Sequence, residues 1–119
     1  MTNKEFAKKL EKRTREFAVQ IIRLSSRLPK TPEGQVVKTQ LTKSGTSVGA
    51  NYREANRARS TADFKNKMRI CEGECSETQY WLEVIVDAGM LPRNDIRRIY
   101  DECSEILAIF VSAITSLKR

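Results

Sequence analysis

STADFKNKMRICEGECSETQYWLEVIVDAGMLP, Ser60 to Pro92, reads as one complete helix with both of its ends written into it. Ser60-x-x-Asp63 is a capping-box-like start, in which the hydroxyl can accept from an orphan backbone amide and Asp63 favours the positive helix end. Phe64, Met68, Cys71, Cys75, Leu82 and Ile85 then fall on one helical face. Gly89 supplies a left-handed terminating residue, and Pro92 blocks continuation.

Working outward, the same grammar repeats. Upstream, Thr31 caps a helix that has Pro32 at its first position and runs to about Arg57, with Val37, Leu41, Val48, Tyr52 and Ala55 inward. Before it, Phe6, Leu10, Phe17, Ile21, Leu24 and Leu28 mark a helix over roughly residues 3–28, which Leu28-Pro29-Lys30-Thr31-Pro32 ends. Downstream, a fourth helix starts near Asn94 or Asp95 and carries Ile96, Ile99, Cys103, Ile106, Leu107, Phe110, Ile114 and Leu117. No segment shows strand alternation. Four helices joined by short loops predict an all-α, up-down-up-down four-helix bundle, a single domain over residues 1–119.

The composition narrows the function. Lys and Arg number 22 against 15 Asp and Glu, a net charge of +7, which favours an anionic partner and nucleic acid first. There is no histidine, which removes the usual neutral-pH general base, the Ser-His and Cys-His nucleophile pairs and the Glu-x-x-His pattern of di-iron bundles. A protein that is not an enzyme and carries no cofactor is expected. The charged start MTNKEFAKKLEKR contains neither a secretory signal nor an anchor, and the uncharged stretch Ile106 to Leu117 is too short to span a bilayer, so a cytoplasmic protein with no membrane partner is expected. Cys71, Cys75 and Cys103 form no C-x-x-C pair and suit reduced, buried thiols.

Three polar patterns stand out against this core. Residues 1–30 hold nine Lys/Arg against three acids, whereas residues 60–90 hold three against six. On the first helix Lys4, Lys8, Lys12, Arg15, Arg23, Arg27 and Lys30 fall opposite the apolar face, and Arg53 and Arg57, with Arg59, add cations at the end of the second. These read either as a solvated face or as a stripe that tracks phosphates; whether the two groups form one patch decides between them. With Phe6 and Phe17 pointing inward, no exposed aromatic would interleave with these cations, which favours backbone or shape recognition over base stacking.

Gln40, Ser44, Ser47, Asn51 and Glu54 form a polar line beside the inner face of the second helix, and Lys67, Glu74, Glu77 and Trp81, with Asp63 and Ile70, form one beside that of the third. They read as an inter-helix hydrogen-bond network or as a partner site; in the first case removing either Asn51 or Glu74 strands a polar partner on the facing helix. Glu54, Glu74 and Glu77 lack the histidines of a di-iron site, and three thiols fall short of a four-ligand zinc site, so no metal is expected. Gly45-x-x-x-Gly49 inside a helix calls for a close neighbouring helix, and it lacks the lysine and spacing of a phosphate-binding loop.

Taken together, Gln40-Leu41, Ser44, Ser47-Val48-Gly49-Ala50-Asn51, Glu54-Ala55, Ser60, Asp63-Phe64, Lys67, Glu74, Glu77-Thr78 and Trp81-Leu82 are distinctive. With Phe17-Ala18, Leu28-Pro29-Lys30 and the Ser116-Leu117-Lys118 ending, they resemble the four-helix-bundle proteins of the 23S rRNA intervening-sequence family over nearly the full chain. The resemblance implies the same bundle, no established enzyme activity, and bacterial relatives encoded within insertions in large-subunit rRNA genes or elsewhere. It also implies kinship with accessory proteins of diversity-generating retroelements, basic homopentamers that bind nucleic acid and a reverse transcriptase. The expected function is nucleic-acid binding, RNA or DNA, through the phosphate backbone by a homo-oligomer; the alternative is an interaction scaffold or accessory subunit, for example of a reverse transcriptase. Self-association is also expected from the last helix, whose Ile106, Leu107, Ile109, Phe110, Val111, Ala113, Ile114 and Leu117 spread over half its circumference. The resemblance makes a pentameric ring the specific form.

Overall fold

A computed structural model describes residues 1–117; Lys118, on which the quoted C-terminal motif ends, lies outside the described residues, as does Arg119. The order is α1 (Asn3–Ser25), α2 (Pro32–Ala55), α3 (Thr61–Asp87) and α4 (Arg93–Leu117), with no strand among the described residues. The caps are where the sequence places them: Thr31 Oγ1 accepts from the Gly34 amide at 3.0 Å, and Ser60 Oγ accepts from the Asp63 amide at 3.0 Å. At the end of α3, Gly89 adopts φ 68° and the Met90 amide reaches back to the Ile85 carbonyl at 2.9 Å, the closure that a left-handed residue permits. α1 ends at Ser25, three residues before Leu28, because the turn that leads into Pro29 begins there; Leu28 is buried all the same.

Each helix packs against its chain neighbours, and α4 returns to α1 more loosely, so that α1 lies diagonally across from α3 and α2 across from α4. The bundle measures 45 × 24 × 21 Å. Phe17, Ile21, Leu41, Met68, Leu82, Ile85, Ile106 and Phe110 form the fully buried centre. There Phe110 of α4 meets Tyr52 of α2 with ring centroids 5.6 Å apart, across the diagonal. Cys71, Cys75 and Cys103 are free and buried, and burial pushes the Cys71 thiol up to about 12.

The two in-helix glycines serve helix contact. A methyl group at Gly45 would meet the branches of Ile21 at 2.7 Å, and one at Gly49 would meet Thr14 Oγ1 at 2.9 Å. Thr14, fully buried at this crossing, satisfies its hydroxyl on its own helix by donating to the Leu10 carbonyl at 2.9 Å.

Phe6 departs from the expected inner face. It is 47% exposed and lies over a groove shared with Ile109 and Ala113 of α4. The apolar surplus of α4 is likewise mostly covered within the chain: Leu107, Ile109 and Ala113 pack against the core, while Val111 and Leu117 stay exposed. That helix therefore gives less ground for self-association than its sequence suggests.

Ion pairs tie the looser α1–α4 seam. Arg13 donates from Nε and Nη2 to the two carboxylate oxygens of Glu102 at 2.8 and 2.6 Å, and Nη2 also reaches Glu105 at 3.1 Å. Near the other end, Arg27 Nη2 lies 2.6 Å from Asp95 Oδ2. The hydrogen bonds from Arg13 hold the Glu102 carboxyl below its ordinary range. A carboxyl with a lowered folded-state pKa stabilises the fold above its unfolded pKa, and that contribution is lost as pH falls through the folded value. Arg13→Met should therefore lose less stability than the parent between neutral pH and roughly pH 3 in urea titrations; parallel acid profiles would show that this bridge contributes nothing.

Candidate nucleic-acid interface

The cations divide between the two ends of the bundle. The antiparallel register of α1 and α2, fixed where Thr14 meets Gly49, brings the first half of α1 beside the end of α2. A shallow groove of about 360 Å³ between them is lined by Arg15 and Arg53 together with Glu11, Glu54 and Ala50. Glu11 lies 3.9 Å from Arg53 and accepts from Asn56 Nδ2 at 2.9 Å, so one acid is taken up by α2. Lys4, Lys8, Arg15 and Arg57 are exposed and form no ion pair among the described residues. Lys4, Lys8 and Arg15 share the outer side of α1, and the α1–α2 register puts Arg57, in the turn after α2, at the same end of the bundle.

Arg23, Arg27 and Lys30 belong to the opposite end. Ten residues of helix at 1.5 Å per residue put about 15 Å between Arg15 and Ser25, where the turn that carries Arg27 begins. Arg27 is engaged by Asp95, and Arg23 and Arg27 share a cleft with Arg98 of α4. Lys12 sits between the two groups, 3.9 Å from Glu16 on the same exposed face. Such a pair is worth little in water and leaves the lysine available.

The polar lines of α2 and α3 do meet, but not in the pairing expected. Their one buried link joins Ser44 to Thr78, whose hydroxyl oxygens lie 3.0 Å apart. Asn51 donates instead to the Ser47 carbonyl one turn earlier, at 2.8 Å, and Ser47 donates to the Lys43 carbonyl at 2.6 Å. Neither Asn51 nor Glu74 depends on the other, so neither substitution strands a partner on the facing helix. Gln40 and Lys67 are half-buried and Glu54 is exposed. The Glu77 carboxylate accepts from Trp81 Nε1 at 3.3 Å along α3. Glu74 is half-buried, and burial raises its carboxyl, helped by Glu77 and opposed by Lys43 of α2.

Lys43 is thus a polar residue that the sequence reading passed over, and Thr78 is one that entered it only through the family motif. Thr78 was legible as the position that continues the four-three spacing from Cys71 and Cys75 to Leu82 and Ile85. Among the described residues no group of three or more His, Cys, Asp or Glu is placed to hold a metal ion, and no helix is long and apolar enough to cross a membrane.

A Bacteroides thetaiotaomicron protein of unknown function from the S23 ribosomal protein family has a crystal structure that superposes with a TM-score of 0.83 at 38% identity, over 88% of this chain and 97% of that one. No curated protein of comparable likeness was found. The profile of the 23S rRNA-intervening sequence proteins matches residues 5–112, nearly the whole bundle. The chain belongs to the 23S rRNA-intervening sequence protein family.

Proposed function

We propose that this protein is a non-enzymatic, cytoplasmic homo-oligomer, with a pentameric ring as its specific form, that binds structured RNA or duplex DNA through the phosphate backbone. The observation that carries the reading is the group Lys4, Lys8, Arg15 and Arg57, four exposed cations without carboxylate partners among the described residues, three on α1 and one in the turn after α2 at the same end of the bundle. Neutralising phosphates with such a face releases counterions. Four contacts on duplex DNA would weaken binding roughly 100-fold between 50 and 200 mM salt.

Changing Lys4, Lys8, Arg15 and Arg57 together to glutamate should abolish retention of a hairpin RNA and of duplex DNA in a low-salt shift assay, with the helical signal and assembly mass unchanged. A wild-type protein that shifts neither probe overturns nucleic-acid binding, and an interaction scaffold with a solvating basic face then stands in its place.

A further inference from the structure

The cleft between the end of α1 and the start of α4 has no part in the phosphate contacts assigned above. It measures about 350 Å³, within the range of small-ligand sites, about 300–1,000 Å³. Arg23 lines it from the last turn of α1, Arg27 from the turn that follows, and Arg98 from the start of α4. Gln20 adds a neutral side-chain amide that can donate beside them. Leu24 and Ile99, both buried, supply its apolar lining.

The charges in this cleft do not balance. Asp95 is the one carboxylate in the lining, and it is taken up by Arg27, whose Nη2 lies 2.6 Å from Oδ2. Arg23 and Arg98 form no ion pair among the described residues. Three guanidinium groups against one carboxylate leave two positive charges gathered in one concavity beside apolar side chains, where like charges repel more strongly than in bulk water. An anion between them removes that repulsion. The Asp95 contact engages only Nη2, so it holds the Arg27 fork in place and leaves its remaining donors for a ligand.

The size of the surplus selects the anion. A phosphomonoester carries about −1.5 to −2 at neutral pH and offers three strong acceptor oxygens, whereas each phosphate inside a strand carries about −1. Planar arginine forks match such oxygens two at a time. We infer that Arg23, Arg27 and Arg98, with Gln20, bind a phosphomonoester, and that its source is the phosphorylated end of a nucleic-acid strand. The choice of source rests on the nucleic-acid reading, whereas the anion chemistry rests on the cleft itself. Lys4, Lys8, Arg15 and Arg57 lie towards the other end of the bundle, so one site holds a strand along its backbone and the other holds its terminus.

Two measurements on wild type and on the double variant Arg23→Gln/Arg98→Gln test it. Both positions are exposed and outside every ion pair among the described residues, and circular dichroism checks that the variant folds. Arg27 stays, because its pair with Asp95 ties α1 to α4. In the first, inorganic phosphate is titrated at constant ionic strength and followed by phosphorus NMR; wild type should saturate and the variant should not. In the second, two hairpin RNAs of one sequence, ending in a 5′-phosphate or a 5′-hydroxyl, are compared by fluorescence anisotropy. Wild type should bind the phosphate-ended hairpin about tenfold more tightly, and the variant should bring that ratio close to one. A wild type that phosphate does not saturate, or a variant that it saturates equally well, overturns the site. Equal binding of the two hairpins by wild type overturns the strand end as its source and leaves the nucleic-acid reading standing. If neither hairpin binds, the nucleic-acid reading falls and the strand end with it, while saturation by phosphate in wild type alone upholds the cleft as a site for a free phosphomonoester.

Discussion

Phe110→Ala should lower the stability of the fold by about 3–5 kcal/mol, the range for truncating a fully buried aromatic, because transfer free energy is lost and a cavity is left behind. The position makes the upper part of that range the expectation. Phe110 is fully buried, and its ring packs on Tyr52 across the diagonal between α4 and α2. No neighbouring helix can close the gap without moving both. The aromatic pair itself adds about 0.5–1.5 kcal/mol beyond the area buried. Against a total of about 5–15 kcal/mol for a typical domain, such a loss brings the fold near its threshold. Urea unfolding should show a lower midpoint with an unchanged slope, while Val111→Ala, one residue away and exposed, should stay within about 0.5 kcal/mol of the parent. A loss below about 1 kcal/mol for Phe110→Ala would mean that the core collapses around the vacancy.

The four helices were legible because each carries its own evidence. Thr31-Pro32 and Ser60-x-x-Asp63 start helices through backbone chemistry that acts within a few residues, and Gly89 ends one in the same way. The core followed from spacing for the same reason: among the described residues 21 hydrophobic ones are buried, and nearly all sit on the faces that the three-four periodicity marks. Phe6 failed because periodicity assumes that a helix is covered along its whole length, whereas α4 leaves α1 open at its first turns.

The candidate site was less legible, because it depends on which helices are neighbours and in what register. The α1 cations look like one stripe on a helical wheel, yet Arg27 is drawn to Asp95 on α4 and Arg53 to Glu11 on α1. No local pattern announces contacts between residues 68 or 42 positions apart. The two polar lines meet through Ser44 and Thr78, not through Asn51 or Glu74, since a hydroxyl pair fits a closely packed seam and a carboxylate there would have to be desolvated. The family resemblance carried the fold across intact, while its implication of a ring and a nucleic-acid ligand bears on surfaces whose chemistry must be tested in solution.

Gly34→Ala should destabilise the fold by about 2 kcal/mol or more, although helix propensity taken alone predicts a gain of up to about 1 kcal/mol at an interior position. The added methyl group would collide with the Pro29 carbonyl oxygen and lie 2.9 Å from its carbon, and these are backbone atoms. Relief therefore requires the α1–α2 turn to move. That movement opens the bond from the Gly34 amide to Thr31 Oγ1, a cap worth about 1 kcal/mol, and it shifts the buried Leu28 at the end of the preceding turn. Gly73→Ala is the matched control. Its methyl group enters open space, so in dilute samples of single chains it should raise the unfolding free energy by up to about 1 kcal/mol. The same chemical change is thus expected to have opposite signs at two positions of one protein, and denaturant midpoints that moved in the same direction for both variants would show that the close approach of Pro29 to α2 does not constrain the turn.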